Sequence, residues 1–323
     1  MNKDIRQFGT LGYVSSLSLG GGGLGQLWGA TTREECIATV REAVDWGITL
    51  CDMAPVYGNG EAETVIGETF KGSLPDGLRI TTKCRLGDIR SEDVGALLDE
   101  SIDASLKRMN IDHVDIFFLH NWITSDDAQT YGKGTRRSIV ERTVIPEMER
   151  IVKSGKALSW GLTGIGEPKV LIDMFTSGIR PDFIQIITNL LDSPGALQYP
   201  GSSSQPRDII AAAQQAGTSI MGIRAVQAGA LTSKIDRFKP ADDPESLDFQ
   251  RADPFRSIAR DVGKSPAFLA HQYALSMEGP ATIVLGVKNR EELRECIEAE
   301  AAGPLDSELV DRIDLAVSDN PYR

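Results

Sequence analysis

Four side chains of this 323-residue chain form a set that can move a proton. C-D-M-A-P-V-Y-G carries Asp52 and, five residues on, Tyr57; T-T-K-C carries Lys83; F-F-L-H-N-W carries His120. A phenol is a weak acid at neutral pH. A nearby ammonium favours the phenolate, and a carboxylate keeps that ammonium in place and charged. A phenol tuned in this way can protonate a carbonyl oxygen. An imidazole can hydrogen-bond the same oxygen and orient it. Nothing in the chain supplies a hydride, so carbonyl reduction here implies a nicotinamide. Each residue alone has a plainer reading: a turn aspartate, a packed tyrosine, a solvated lysine, a satisfied buried histidine. A lysine at a strand end can also be a Schiff-base nucleophile. Only the combination points to reduction.

The elements that would position this set are short apolar runs alternating with helical patterns. The runs are Leu17 to Gly20, Ile48 to Asp52, Leu78 to Lys83, Val114 to His120, Ala157 to Leu162, Asp182 to Ile187, Ser219 to Ile223 and Ala281 to Leu285. Continuous apolar runs of this length suit strands buried on both faces. Between them, Ile37, Val40, Val44 and Trp46 recur at helical spacing, with Thr31 or Thr32 as cap and Gly47 as stop. Ser91 to Arg108 repeats the pattern with Leu97, Leu98, Ile102, Leu106 and Met109. Further helices are expected over Glu141–Ser154, Pro168–Phe175, Asp208–Ala216 and Arg290–Glu300. Strict alternation demands parallel strands. A doubly wound sheet satisfies that, but the number of runs favours an (α/β)8 TIM barrel, with active residues at the strand C-termini. Two polar stretches break the rhythm, residues 122–138 and 232–254, and both should lie on the active face.

The segment D-M-A-P-V-Y-G-N-G-E-A-E-T-V-I-G resembles the signature of the aldo-keto reductase family. T-T-K-C, S-L-K-R-M-N-I-D-H-V-D-I-F-F-L-H, S-L-S-L-G-G-G-G-L-G and A-G-A-L-T extend the likeness over nearly the whole chain. The resemblance implies a barrel spanning residues 1–323 as one domain, reversible reduction of an aldehyde or ketone, and Asp52, Tyr57, Lys83 and His120 as the catalytic tetrad. It also implies extended binding of NADP(H), with NAD(H) possible. Thr163 stands at the family's Ser position, Gly164 replaces its Asn, and Gln185 stands where its Gln should. Gln185 could instead be a buried polar residue bonded to backbone. Gly21 and Gly22 would allow close approach near the nicotinamide ribose, while Gly229 and Leu231 come from the matching A-G-A-L-T.

The sequence departs from the family pattern at several of these positions. Ile223 stands where a stacking Tyr is common, and Arg224 follows it as a phosphate ligand, a substrate-carboxylate ligand or a partner in a salt bridge. The Gly286–Asn289 loop opens a helix and could hold an anion, with Lys288 neutralising a 2′-phosphate and Asn289 donating. Glu292 stands where many NADP-dependent members carry Arg, Cys296 replaces a common Asn, and Glu295 keeps an acidic position facing adenine. Trp28 and Trp122, with Tyr57 and His120, would wall the substrate pocket. Arg136 and Arg137 either meet an anionic substrate or face solvent. His113 and His271 are expected to be structural.

Composition sets the outer bounds. Hydrophobic residues make up 41% and charged residues 25%, as in an ordinary globular protein. With 34 Lys+Arg against 46 Asp+Glu, the net charge of −12 argues against nucleic acid and anionic membranes as partners. The four cysteines lack C-x-x-C spacing, so neither a disulfide framework nor a metal site is expected, and a cytoplasmic location fits. The partner is a small carbonyl or alcohol, with a homo-oligomer possible. The rival readings are an NAD-dependent sugar or hydroxy-compound dehydrogenase, a cofactor-binding redox-sensing subunit, and a metal-dependent barrel lyase.

Overall fold

In a computed structural model, residues 4–319 and 321–322 are described. Eight parallel strands close into a barrel. They are β1 (Leu17–Gly20), β2 (Leu50–Asp52), β3 (Arg79–Cys84), β4 (Val114–Leu119), β5 (Ala157–Thr163), β6 (Phe183–Ile187), β7 (Ser219–Ile223) and β8 (Pro280–Leu285). Neighbours in sequence are neighbours in space, and β8 returns to β1. Every expected strand is found within two residues of its predicted ends. The barrel, not the open sheet, is the outcome.

The outer layer is helical. The barrel helices are α1 (Arg33–Asp45), α2 (Glu61–Phe70), α3 (Ser91–Met109), α4 (Ile145–Ser154), α5 (Pro168–Thr176), α6 (Pro206–Ala216), α7 (Pro266–Ser276) and α8 (Arg290–Ala301). Thr32 caps α1 by accepting from the Glu35 amide, and Asn289 caps α8 by accepting from the Glu292 amide. Each cap satisfies an amide that has no partner inside its helix. The apolar stripes of these helices merge with the outward faces of the strands: Val40, Val94, Leu98 and Ile102 pack with Leu17, Leu19, Ile80 and Phe117. Trp46 departs from the expected stripe. It lies just past the end of α1, is exposed, and bonds Glu42 instead.

The N-terminal end of the barrel is plugged. A hairpin of Ile5–Gln7 with Tyr13–Ser15 holds Phe8, Leu11 and Val14 against Leu50, Ile116, Phe118 and Phe183. The rings of Phe8 and Phe183 lie 4.6 Å apart. With that end filled by the hairpin, the large cavity opens at the C-terminal mouth.

The two long polar stretches are more ordered than loops. Trp122–Thr124 and Gly134–Arg136 pair in parallel, and Ile165–Gly166 adds to the other edge of Trp122–Thr124. Within 232–254 a helix begins at Pro244 behind the Asp243 cap. Length beyond the barrel also lies outside these two stretches. The N-terminal hairpin takes some of it. Helices Asp253–Asp261 and Ser307–Ala316 take more, packing Phe255, Ile258 and Ile313 with Leu269 and Tyr273 into a second core.

Candidate active site

Strand register builds the cluster. Asp52 ends β2 opposite Thr81 of β3, and Lys83 lies two residues beyond Thr81. Because side chains alternate along a strand, Thr81 and Lys83 share one face. The Thr81 hydroxyl donates to Asp52 Oδ1 at 2.6 Å, and Lys83 Nζ donates to Asp52 Oδ2 at 2.8 Å. Lys83 is fully buried. Its three donors are spent on Asp52, on the Met53 carbonyl at 2.8 Å and on Tyr57 Oη at 3.2 Å. An ammonium only donates, so the proton of Tyr57 is not used on Lys83 and stays available to an acceptor in the cavity.

The imidazole of His120 stands edge-on to the Tyr57 ring, centroids 6.0 Å apart. The backbone nitrogen of His120 donates to the Cys84 carbonyl at 2.7 Å, which ties the end of β4 to the end of β3. Nδ1 of His120 is buried without a protein partner. Burial pushes His120 well below the usual histidine range, and the charges of Lys83 and Arg85 push the same way. The ring is therefore neutral at physiological pH and can hydrogen-bond a carbonyl without competing as an acid.

Electrostatics correct one expectation. Burial raises the Tyr57 phenol above its ordinary value, and Asp52 adds to that; the opposing pull of Lys83 does not overcome it. Lys83 feels burial as a downward push, but Asp52 and Tyr57 outweigh it and keep the ammonium charged. Without a ligand, then, the phenol is a held, protonated group and not an acidified one.

A cavity of about 810 Å³ runs from Tyr57 and His120 along the barrel mouth to Glu295. Of the residues singled out in the sequence, it is also lined by Gly21, Gly22, Trp28, Asp52, Thr163, Gln185, Ile223, Arg224, Gly229, His271, Gly286, Lys288, Glu292, Glu295 and Cys296. Gln185 donates to Asp52 Oδ1 at 2.7 Å, so it is neither backbone-bonded nor free. The Thr163 hydroxyl donates to the Leu119 carbonyl at 3.0 Å.

Other expected contacts are placed elsewhere. Gly164 donates its amide to the Gln185 carbonyl at 2.7 Å and faces the strands, not the cavity. Leu231 is buried in the second core with Phe255. Asn289 serves as the α8 cap and borders a second, more open pocket. Trp122 is buried against Tyr199 and donates to the Leu197 carbonyl at 2.9 Å. It buttresses Leu197, which does line the cavity. Gly20 and Gly23 have a packing reason first, because a Cβ on either would overlap the backbone carbonyls of Leu285 or Val287.

Two cations turn out to be engaged. Arg224 donates to Gln227 at 2.8 Å and to Glu245 at 3.0 Å, the salt-bridge reading. Its backbone φ of 63° is left-handed, at a turn where Gln227 and Ala228 are left-handed too. For residues with a Cβ such conformations are strained, and the Arg224–Gln227–Glu245 bonds hold them. Lys288 binds Asp236 at 2.6 Å and also Glu292. Arg136 pairs with Asp88 and Arg137 with Glu141, away from the cavity. His271 is buried with its Nδ1 2.8 Å from the Ala267 carbonyl and also borders the cavity, whereas His113 is exposed. The four cysteines are buried free thiols, and among the described residues no His/Cys/Asp/Glu group could hold a metal.

Sequence reasoning missed Arg85, which lines the cavity one residue past β3. Its nearness to Lys83 in the sequence was the available signal.

The sequence profile of the aldo/keto reductase family matches residues 16–317. The chain belongs to this family. The L-galactose dehydrogenase of Arabidopsis thaliana is 25% identical over 303 residues, covering 92% of this chain and 88% of its own. A probable voltage-gated potassium channel subunit beta of Oryza sativa is 23% identical over 311 residues, covering 90% and 89%. The structure of a glycerol dehydrogenase from Gluconobacter oxydans shares the fold with a TM-score of 0.72 at 20% identity, over 100% of this chain and 98% of that one. No helix among the described residues is long and apolar enough to cross a membrane.

Proposed function

We propose that this protein catalyses the reversible reduction of an aldehyde or ketone to an alcohol with a nicotinamide cofactor. The observation that carries the reading is the Tyr57 hydroxyl, held by a buried, charged Lys83 and facing the cavity beside a neutral His120. In reduction, Tyr57 donates its proton to the carbonyl oxygen as the carbon receives hydride. His120 hydrogen-bonds that oxygen and fixes its direction. Lys83 then stabilises the phenolate left on Tyr57 until solvent reprotonates it. In oxidation the phenolate is the base that takes the alcohol proton.

The residues fit a dinucleotide. The cavity's lining carries two sets of polar groups: Gln185 and Thr163 with Asp52, and Lys234, Arg237 and Glu295 beside Lys288. A bound nicotinamide would supply or accept the hydride. Gln185 and Thr163 would hold its carboxamide, and Lys234 and Arg237 its pyrophosphate. Arg237 stacks over Trp28 at 5.1 Å, so segment 232–237, which lines the cavity, reaches the loop after β1.

The far end of the cavity runs against the expected NADP(H). Lys288 is clasped by Asp236 and Glu292, and Glu291 and Glu295 line the same wall. Four carboxylates stand at this end, and Lys288 is already committed to two of them, which disfavours a 2′-phosphate and supports NAD(H).

The test is a panel of aldehydes, ketones, polyols and sugars read by nicotinamide absorbance with both cofactors, on wild type and Tyr57→Phe. Turnover that depends on Tyr57 is expected. Tight cofactor binding with no turnover across the panel would instead favour a redox-sensing subunit. Activity in Tyr57→Phe equal to wild type would remove the proposed acid.

A further inference from the structure

Arg85 is the cavity's unexplained charge. It sits just past β3 and lines the cavity with Tyr57 and His120. Its position is fixed on both sides. The Cys84 carbonyl accepts from the His120 amide at 2.7 Å, and the Leu86 amide donates to Asn121 Oδ1 at 2.8 Å. The backbone of Arg85 is thus strapped to the His120–Asn121 turn, next to the reacting oxygen.

The side chain itself is exposed and makes no hydrogen bond or ion pair among the described residues. That separates it from Arg224, Arg237 and Lys288, which also line the cavity. Arg224 is committed to Glu245 and Lys288 to Asp236 and Glu292, while Arg237 donates to the Ala228 carbonyl, stacks on Trp28 and keeps its other donors for the proposed pyrophosphate. Lys234 is also without an acidic partner, but it lies at the Lys288 end, where it borders the second pocket too. In a chain with a net charge of −12, acidic partners are plentiful. A guanidinium left without one beside the reacting groups is set up to take an anion. The same cavity also has an apolar lining that includes Leu27, Val56, Ile165 and Leu197.

We propose that Arg85 anchors the substrate through an anionic group, so that the natural substrate is an aldehyde or ketone bearing a carboxylate or a phosphate. This rests on the reductase reading above. Arg85 is a specificity residue in this account. It would bind the charged end of the molecule while the apolar wall takes the carbon chain, leaving the carbonyl at Tyr57 and His120. A guanidinium suits either oxyanion through paired hydrogen bonds.

Matched substrates test it. Butanal is compared with 4-oxobutanoate, and glyceraldehyde with glyceraldehyde 3-phosphate, in wild type, Arg85→Gln and Arg85→Lys. In wild type the anionic member of at least one pair should have the lower KM, and raising salt should erode that advantage. Which pair shows it identifies carboxylate or phosphate as the group bound. Arg85→Gln should raise the KM of the favoured anion by about ten- to a hundredfold, with a much smaller KM change for the neutral member. Arg85→Lys should recover part of the loss. Neutral aldehydes reduced with no anionic preference in either pair would overturn the Arg85 assignment and leave the reductase reading standing. An equal KM change for charged and neutral members would overturn it too. No reduction of any of the four compounds would overturn both.

Discussion

Gln185 and Asp52, 133 residues apart, are joined by a 2.7 Å hydrogen bond across the barrel mouth. An ionised carboxylate only accepts, so the Gln185 amide nitrogen must face Asp52. The carbonyl oxygen of Gln185 is what remains for a ligand. One residue therefore joins the proton-transfer cluster to the proposed carboxamide site. Replacing Gln185 with Leu should lower stability by about 1–3 kcal/mol, because Asp52 loses a buried donor. It should also weaken cofactor binding. Urea unfolding and a fluorescence titration with reduced nicotinamide measure the two effects. Gln185→Glu should be worse on both counts, since it sets a second carboxylate against Asp52.

Tyr57→Phe should cut kcat by about 10²–10⁴-fold while leaving cofactor affinity almost unchanged. Stopped-flow binding and steady-state turnover separate the two quantities.

The raised Tyr57 value sets the pH response. Reduction needs the phenol protonated, so its rate should stay flat through neutral pH and fall only on the alkaline side. Oxidation needs the phenolate, so its rate should climb through the alkaline range. Rate profiles in both directions test this. An oxidation rate that is independent of pH would exclude Tyr57 as the base.

The Asp52–Lys83 pair is buried on both sides. Removing one partner leaves an uncompensated charge, a loss of about 3–5 kcal/mol. Lys83→Met alone should therefore unfold at much lower denaturant. The double change Asp52→Leu with Lys83→Met should lose less than the sum of the singles.

Freeing Lys288 should shift cofactor choice. Asp236→Asn with Glu292→Gln removes both carboxylates from it. Affinity for NADP(H) relative to NAD(H) should rise by at least about tenfold. Isothermal titration with both oxidised cofactors reads this without turnover.

His271 gives the fold a pH dependence of its own. Burial pushes it down from 6.5 to about 4, partly opposed by the Ala267 carbonyl. Between those values the unfolded chain binds a proton that the folded chain does not. Stability should therefore fall as pH drops through this window, by about 3 kcal/mol in all. His271→Gln should flatten that part of a stability-against-pH curve measured by urea unfolding.

Much of the architecture was legible because barrel strands are buried on both faces. Their short apolar runs stand out between amphipathic helices, and strict alternation leaves few topologies. The errors fall where a residue's environment depends on distant chain. Trp46 has helical spacing but lies past its helix end, so nothing covers it. Trp122 follows His120 closely, yet it turns into a small parallel sheet and packs on Tyr199. Leu231 sits in a motif shared with the family, but its side chain is claimed by helices that follow it.

The sequence alone determined the order of strands and helices, and the residue types at the strand ends. Those follow from local periodicity and from the chemistry a phenol, an ammonium, a carboxylate and an imidazole can do together. Tertiary structure decided which charges are spent and which are free. Lys288 meets Asp236 from 52 residues away, Arg224 meets Glu245, and Arg85 meets no acid among the described residues. Charges act through space over a few ångströms, and in a chain rich in carboxylates spacing along the sequence does not say which of them will arrive. Burial likewise belongs to the assembled barrel, and it moves Tyr57 up, against the direction its lysine alone would give.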